Sequence, residues 1–274
     1  MGRAGGKRGG SSLLAVAELE RYAEVVRTGL RDAYLLDGAA GTLQEAQVVE
    51  ALTLVPGGPL LLVRLAGDNL VLTRPSVLES RIAALHSGGA KHQFPFLVSV
   101  DAADADAAAS SPGAPRLLND TESDAVIATL QAASRRLVQN SAESCVVDFC
   151  SSQDDTASVQ RVVGWPLVAG WLLGYPCLYH SVREGAAFNL LAMQRLCKVS
   201  IMLSPAPAST DQVAIDLLEF TVPVAILQEH PDLAAHFSSQ LESRLNMLAS
   251  TLGSSLASRI SLVKTDCILP AVVL

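Results

Sequence analysis

The chain has 274 residues, of which 50% are hydrophobic and 17% charged, so a mostly disordered chain is excluded. A chain of this length can bury roughly three-quarters of its extended surface, and it needs no disulfide or metal staple to hold a core. A net charge of −7 and an aromatic content of 4% argue against a general nucleic-acid binder, in both backbone electrostatics and base stacking.

Residues 1–12 are Gly-rich and basic and are expected to form a disordered tail. An organelle transit peptide is the alternative, because the opening carries no acid. A secretory leader is not supported, since Glu18, Glu20 and Arg21 interrupt the apolar stretch. Leu13 to Gly29 repeats apolar residues at helical spacing. Ala33 to Leu36 reads as a buried strand. Thr42 to Leu54 is an amphipathic helix, and Thr42 with Glu45 forms a capping box. Two short strands follow, Leu60 to Leu65 and Leu70 to Thr73, around a Gly67-Asp68-Asn69 turn. Pro75 opens a helix to about His86, and Phe94 to Val100 is a further strand.

Residues 101–116 are acidic, Ala-rich and poor in large apolar groups, so they are expected to form a mobile loop. The segment reads either as a linker or as an insertion; the insertion is preferred, giving one α/β domain over 13–274. Thr121 is expected to cap a helix from Glu122 to Val138, and Ser144 to Cys150 reads as a strand. Val162 to Tyr179 holds 18 residues without a charge, the lower limit for a membrane span. Pro166, Gly170, Gly174 and Pro176 break it, with Pro166 suited to a first helical turn and Gly174 to a helix end. It therefore parses as a short buried helix from Val163 to Leu173 and a strand from Tyr175 to Ser181, with no transmembrane span.

Further strands are expected at Asn189 to Met193, Cys197 to Leu203 and Val213 to Val222. A long helix opens at Pro231, and two terminal strands follow at Ile260 to Val263 and Ile268 to Val273. Helices and strands alternate in the first half, while the second half runs several strands together. The fold class is α/β tending to α+β: a mixed, partly parallel sheet with helices on both faces and antiparallel strands in the C-terminal half.

Several runs in the second half share an order: Gly174-Tyr175-Pro176, the Leu- and Met-rich Phe188 to Leu203, Phe220-Thr221-Val222-Pro223 and the terminal Leu269-Pro270-Ala271-Val272-Val273-Leu274. This order resembles an uncharacterised eukaryotic family named after an open reading frame on human chromosome 1 and classed as a domain of unknown function. Thr221 departs from the Ser of that pattern, and Ala187 and Phe188 depart from its polar residues. The resemblance implies no activity and carries over no catalytic residue.

The most suggestive local element is Asp37-Gly38-Ala39-Ala40-Gly41-Thr42, an acid at a strand end before a small-residue loop and a helix start. In open α/β sheets ligands bind at the carboxyl ends of strands, and helix starts hold phosphates. Asp37, Gly38, Gly41 and Thr42 are therefore candidate ligand-binding residues. The glycine spacing matches neither a dinucleotide fingerprint nor a P-loop, so the competing reading is a tight turn with Asp37 as a cap. Asp148 is the second candidate, because a carboxylate in an apolar strand needs a partner. It too has a plainer reading, as a carboxylate that alternation points to solvent. Cys150 with His180 as its base reads as a candidate nucleophile, and its plainer reading is a structural thiol.

The five histidines, at 86, 92, 180, 230 and 236, form no metal-binding pattern, so no metal and no cofactor is expected. Five cysteines without a CxxC pair read as reduced thiols in a cytoplasmic or nuclear protein. The leading functional reading is an intracellular α/β protein without assignable activity, an interaction module with a protein partner. The alternative is a small-molecule enzyme of phosphate or nucleotide type, using the Asp37 loop.

Overall fold

The computed structural model describes residues 9–36, 43–54, 57–65, 69–86, 95–100, 115–141, 146–149, 164–180, 191, 193–204, 215–252 and 259–269. Seven helices and ten strands are formed among them. They run α1 (Gly9–Arg27), β1 (Ala33–Leu35), α2 (Glu45–Leu54), β2 (Leu61–Arg64), β3 (Leu70–Thr73), α3 (Pro75–His86), β4 (Phe96–Ser99) and β5 (Arg116–Leu117). Then come α4 (Asp120–Ser141), β6 (Val146–Asp148), α5 (Trp165–Leu173), β7 (Cys177–His180), β8 (Arg195–Leu203), β9 (Ile215–Pro223), α6 (Val224–Glu229), α7 (Pro231–Leu252) and β10 (Ile260–Ile268).

The strands form three sheets rather than one. The first, in the order β1-β3-β2-β6, is antiparallel except where β2 runs parallel to β6. Its central strands are almost wholly apolar, LLVR and LVLT, because both faces are covered. Period-two alternation sends Leu61, Val63 and Val71 towards α3, α4 and α5, and Leu62, Leu70 and Leu72 towards α1 and α2. The second sheet, β5-β4-β7, pairs β4 parallel with β7. The third, β10-β8-β9, is antiparallel throughout, and the inner residues of β8 and β9 pack with Phe237, Leu241 and Leu248 of α7. The architecture is α/β with mixed sheets, as the element order predicts.

Local departures from the sequence reading have simple causes. Helix α1 begins at Gly9, so residues 9–12 of the expected tail are helical. Helix α4 is capped not by Thr121 but by Asn119, whose Oδ1 accepts from the Glu122 N–H at 2.9 Å. Glu122 reaches back to accept from the Asn119 N–H at 2.9 Å, completing a capping box two residues earlier. Of the strand expected at 189–193 only Leu191 and Met193 are described, and both lie in a turn, where Met193 has φ 61°. The first expected terminal strand runs on without a break to Ile268, where the second was expected to begin, because β10 pairs one-to-one with β8 through Lys264 to Cys267; residues 270–273 lie outside the described residues. A continuous partner holds polar residues in a strand that propensity alone would break. The short strand β5 and the short helix α6 carry no periodic signal. The expected turn at 67–69 lies in part outside the described residues, as does the loop at 101–116, of which Pro115 and Arg116 are described and Arg116 opens β5 rather than a loop.

The apolar run around Val168 folds as the helix–strand pair expected. Pro166 sits in the first turn of α5, and Gly174 ends it in the left-handed conformation with φ 76°. The Gly174 N–H donates to the Trp171 carbonyl at 3.2 Å and the Tyr175 N–H to the Gly170 carbonyl at 2.9 Å, a Schellman end. Among the described residues no helix is long and apolar enough to cross a membrane.

Candidate functional site

An acid–arginine cluster lies where α1, α3, α5 and α7 come together. Asp32, in the turn between α1 and β1, accepts from Nη2 of Arg81 at 2.9 Å and from Nη1 of Arg244 at 3.2 Å, both on Oδ2. Arg81 comes from α3 and Arg244 from α7, so one carboxylate oxygen ties together segments up to 212 residues apart. Arg81 also donates from Nη1 to the Trp171 carbonyl at 2.9 Å, placing its charge at the C-terminal end of α5, where the helix dipole favours a cation. It lies across Gly174, where a Cβ would overlap its Nη2. The left-handed turn and the missing side chain both require glycine at this position.

The three side chains are mostly buried, with side-chain exposures of 22% for Asp32, 18% for Arg81 and 17% for Arg244. Burial pushes the Asp32 carboxyl up, but Arg244 and Arg81 outweigh it and hold its pKa below the ordinary value. Burial lowers the pKa of Arg81; Asp32 opposes that shift and Arg244 adds to it. The Nε atoms of Arg81 and Arg244 are buried without a hydrogen-bond partner. Two guanidinium groups share one carboxylate, which leaves one positive charge over.

The cluster borders a cavity of about 400 Å³ whose apolar walls include Pro95, Trp171, Tyr175, Leu218, Leu241 and Met247. That volume lies in the range of small-molecule pockets. A half-open, largely apolar cleft with a cationic wall can hold a compact anion by charge-assisted hydrogen bonds, with its body against the aromatic and aliphatic side chains.

The candidates read from sequence fall elsewhere. Asp148, at the end of β6, accepts from Nη1 of Arg64 at 3.0 Å with both side chains about 40% exposed. Arg64 is shared with Glu45 of α2, to which its Nε donates at 2.9 Å. That hydrogen bond, opposed by burial and helped by the Asp148 charge, raises the Arg64 pKa. Asp148 does not line the cavity. Asp37, Gly38, Gly41 and Thr42 lie outside the described residues, as does Cys150. The carboxyl ends of β1 and β6 do point to one end of the first sheet, with β3 and β2 between them, a separation of about 14 Å. His180 is buried at the end of β7, paired in register with Ser99. No group of three His, Cys, Asp or Glu side chains that could hold a metal gathers among the described residues.

The cluster had a legible signal. Arg81 lies between buried Leu78 and Leu85, and Arg244 between buried Leu241 and Leu248, each three residues after one leucine and four before the next. That spacing puts an arginine in the apolar stripe of each helix, where a charge needs a buried partner.

A model of a domain of unknown function, DUF4504, matches residues 5–274. The chain belongs to the DUF4504 family. The match runs across every element of this DUF4504 protein, the arginine helices included, and brings no specific activity with it. No curated protein and no solved structure matches the chain.

Proposed function

We propose that the protein binds a small anion with an apolar body, a carboxylate or phosphate monoester, in the cavity beside Asp32. The observation that carries this reading is the pair of arginines on one carboxylate in the wall of a largely apolar cleft. Arg244 is the residue read as grasping the ligand: its Nη1 is taken by Asp32, and its Nη2 makes no hydrogen bond among the described residues. Arg81 is committed to Trp171 and Asp32 and is read as the fixed wall. The ligand class is that of the phosphate-binding alternative, moved from the Asp37 loop to the Asp32 turn.

The test is a thermal-shift series of aromatic and aliphatic carboxylates, their phosphate analogues and their neutral amides. A ligand at 100 times its Kd adds about 2.7 kcal/mol, several degrees of Tm at this size. Acids are expected to raise Tm, amides to do nothing, and Arg244→Met to abolish the shift. Equal shifts for acids and amides, or for wild type and Arg244→Met, would overturn the reading.

Residues 13–274 are read as one domain, supported by the pairing of β2 with β6 and of β4 with β7 across residues 101–114. The chromosome 1 family resembled by the motifs is read as this same family. A cytoplasmic or nuclear setting is supported by Cys177, Cys197 and Cys267, which are free thiols.

A further inference from the structure

Strand β10 is an edge of the third sheet, nine residues long, with β8 on one side. Such an edge carries a row of unpaired N–H and C=O groups and is a template for another strand. Which residues offer those groups follows from the ladder. The Ser204 N–H donates to the Arg259 carbonyl at 2.9 Å, and the register from there to Ile268 is one-to-one. Bonded and non-bonded pairs alternate in an antiparallel ladder. The odd-numbered residues of β10 therefore bond to β8. Leu262, Lys264, Asp266 and Ile268 turn their backbone groups to the free edge, where no hydrogen bond satisfies them among the described residues.

The side chains along this edge are self-complementary about Thr265, with apolar residues at matching distances on either side and opposite charges flanking it. From Leu262 to Ile268 they run apolar, apolar, cationic, neutral, anionic, apolar, apolar, centred on Thr265. Val263 and Ile268 are exposed at 39% and 59%. Arg195 already contacts Asp266 at 2.6 Å, but both remain more than half exposed and leave room for a second cation.

We propose that β10 pairs antiparallel with β10 of a second copy of this chain, about a twofold axis through Thr265. In that register Lys264 lies opposite Asp266 of the second copy, and Leu262 opposite Ile268, each as a hydrogen-bonded pair. On the other face Val263 lies opposite Cys267. The neighbouring registers that keep the hydrogen bonds place the axis at Lys264 or at Asp266, setting like charges directly opposite, which is destabilising. Charge thus selects one register, and the two third sheets join into one of six strands. A twofold contact of this kind is closed and leaves no β10 edge open to further copies.

The test is mass by light scattering across a concentration series, with paired variants. Wild type is expected near twice 28.7 kDa. Lys264→Asp and Asp266→Lys are each expected to give monomer at concentrations where wild type is dimeric, and the double exchange to restore the dimer. A second readout is independent of those folds. At the axis the Thr265 Cα atoms would be about 4.5 Å apart, within disulfide reach. Thr265→Cys is expected to cross-link under oxidised glutathione. Val263→Cys, whose copies would lie about 13 Å apart, is expected not to. The proposal is overturned by a monomer up to about 100 µM, where an interface with that Kd would be substantially formed. It is equally overturned by a dimer indifferent to the charge reversals, or by Thr265→Cys cross-linking no faster than Val263→Cys.

Discussion

Asp32 and Asp148 are each held by arginine, and they do different things. Asp32 holds two arginines from helices distant in sequence, mostly buried and beside a cavity. Asp148 shares one arginine with Glu45 in a half-exposed row at a sheet edge. Residue type is the same in both; burial differs. Removing one partner from a buried cluster strands a charge in low dielectric, while an exposed pair exchanges its partner for water at little cost. The comparison shows why a search for acids near strand ends leads to the cheaper of the two clusters.

The sharpest way to break this comparison is Asp32→Ala. It leaves Arg81 and Arg244 facing each other without their shared carboxylate, and the expected loss is about 3 kcal/mol in urea unfolding. Its stabilisation also has a pH signature. The carboxyl is held below its ordinary pKa, so the stabilisation is present above the unfolded value and fades as pH falls through the lowered folded one. An Asp32→Ala variant as stable as wild type would make the buried cluster equivalent to the exposed one.

Gly174→Ala is expected to cost about 2 kcal/mol, from left-handed strain and from displacing Arg81. If Arg81 is the fixed wall of the site, this variant also weakens anion binding although residue 174 carries no polar side chain. A loss of stability alone, with anion affinity kept, would separate the scaffold from the pocket.

A smaller effect is expected at the start of α4. Asn119→Ala removes the cap and is expected to cost about 1 kcal/mol. The bonds from Arg116 and from the Asn119 N–H hold Glu122 down to about 2, so its contribution survives acidification well past the ordinary carboxylate range. It is present above about 4.5 and is lost only as pH falls towards 2. Amide exchange in α4 at pH 3, compared between wild type and Glu122→Gln, reads this directly: the variant is expected to exchange faster.

The smallest effect is expected from Asp148→Asn, under about 0.5 kcal/mol and weaker still in high salt. A loss comparable with that of Asp32→Ala would overturn the ranking of the two clusters.

Much of the fold was legible because the signals were local. The end of α5 at Gly174 follows from one residue's freedom to adopt positive φ. The two-sided burial of β2 and β3 follows from their continuous apolar runs. The α/β class follows from the order of elements. By itself the sequence determined most of the longer helical and extended segments, and which residue types want burial, because propensity, alternation and helix ends act over a few residues. It also placed an arginine in the apolar stripe of α3 and another in that of α7.

Only the tertiary structure decided that these two arginines meet one carboxylate, since that contact joins Asp32 to Arg244 across 212 positions. It alone decided that the strands divide into three sheets and that β10 runs unbroken along β8. A strand's partner and register are fixed by hydrogen bonds and packing between distant segments, and no local window contains both sides of those contacts.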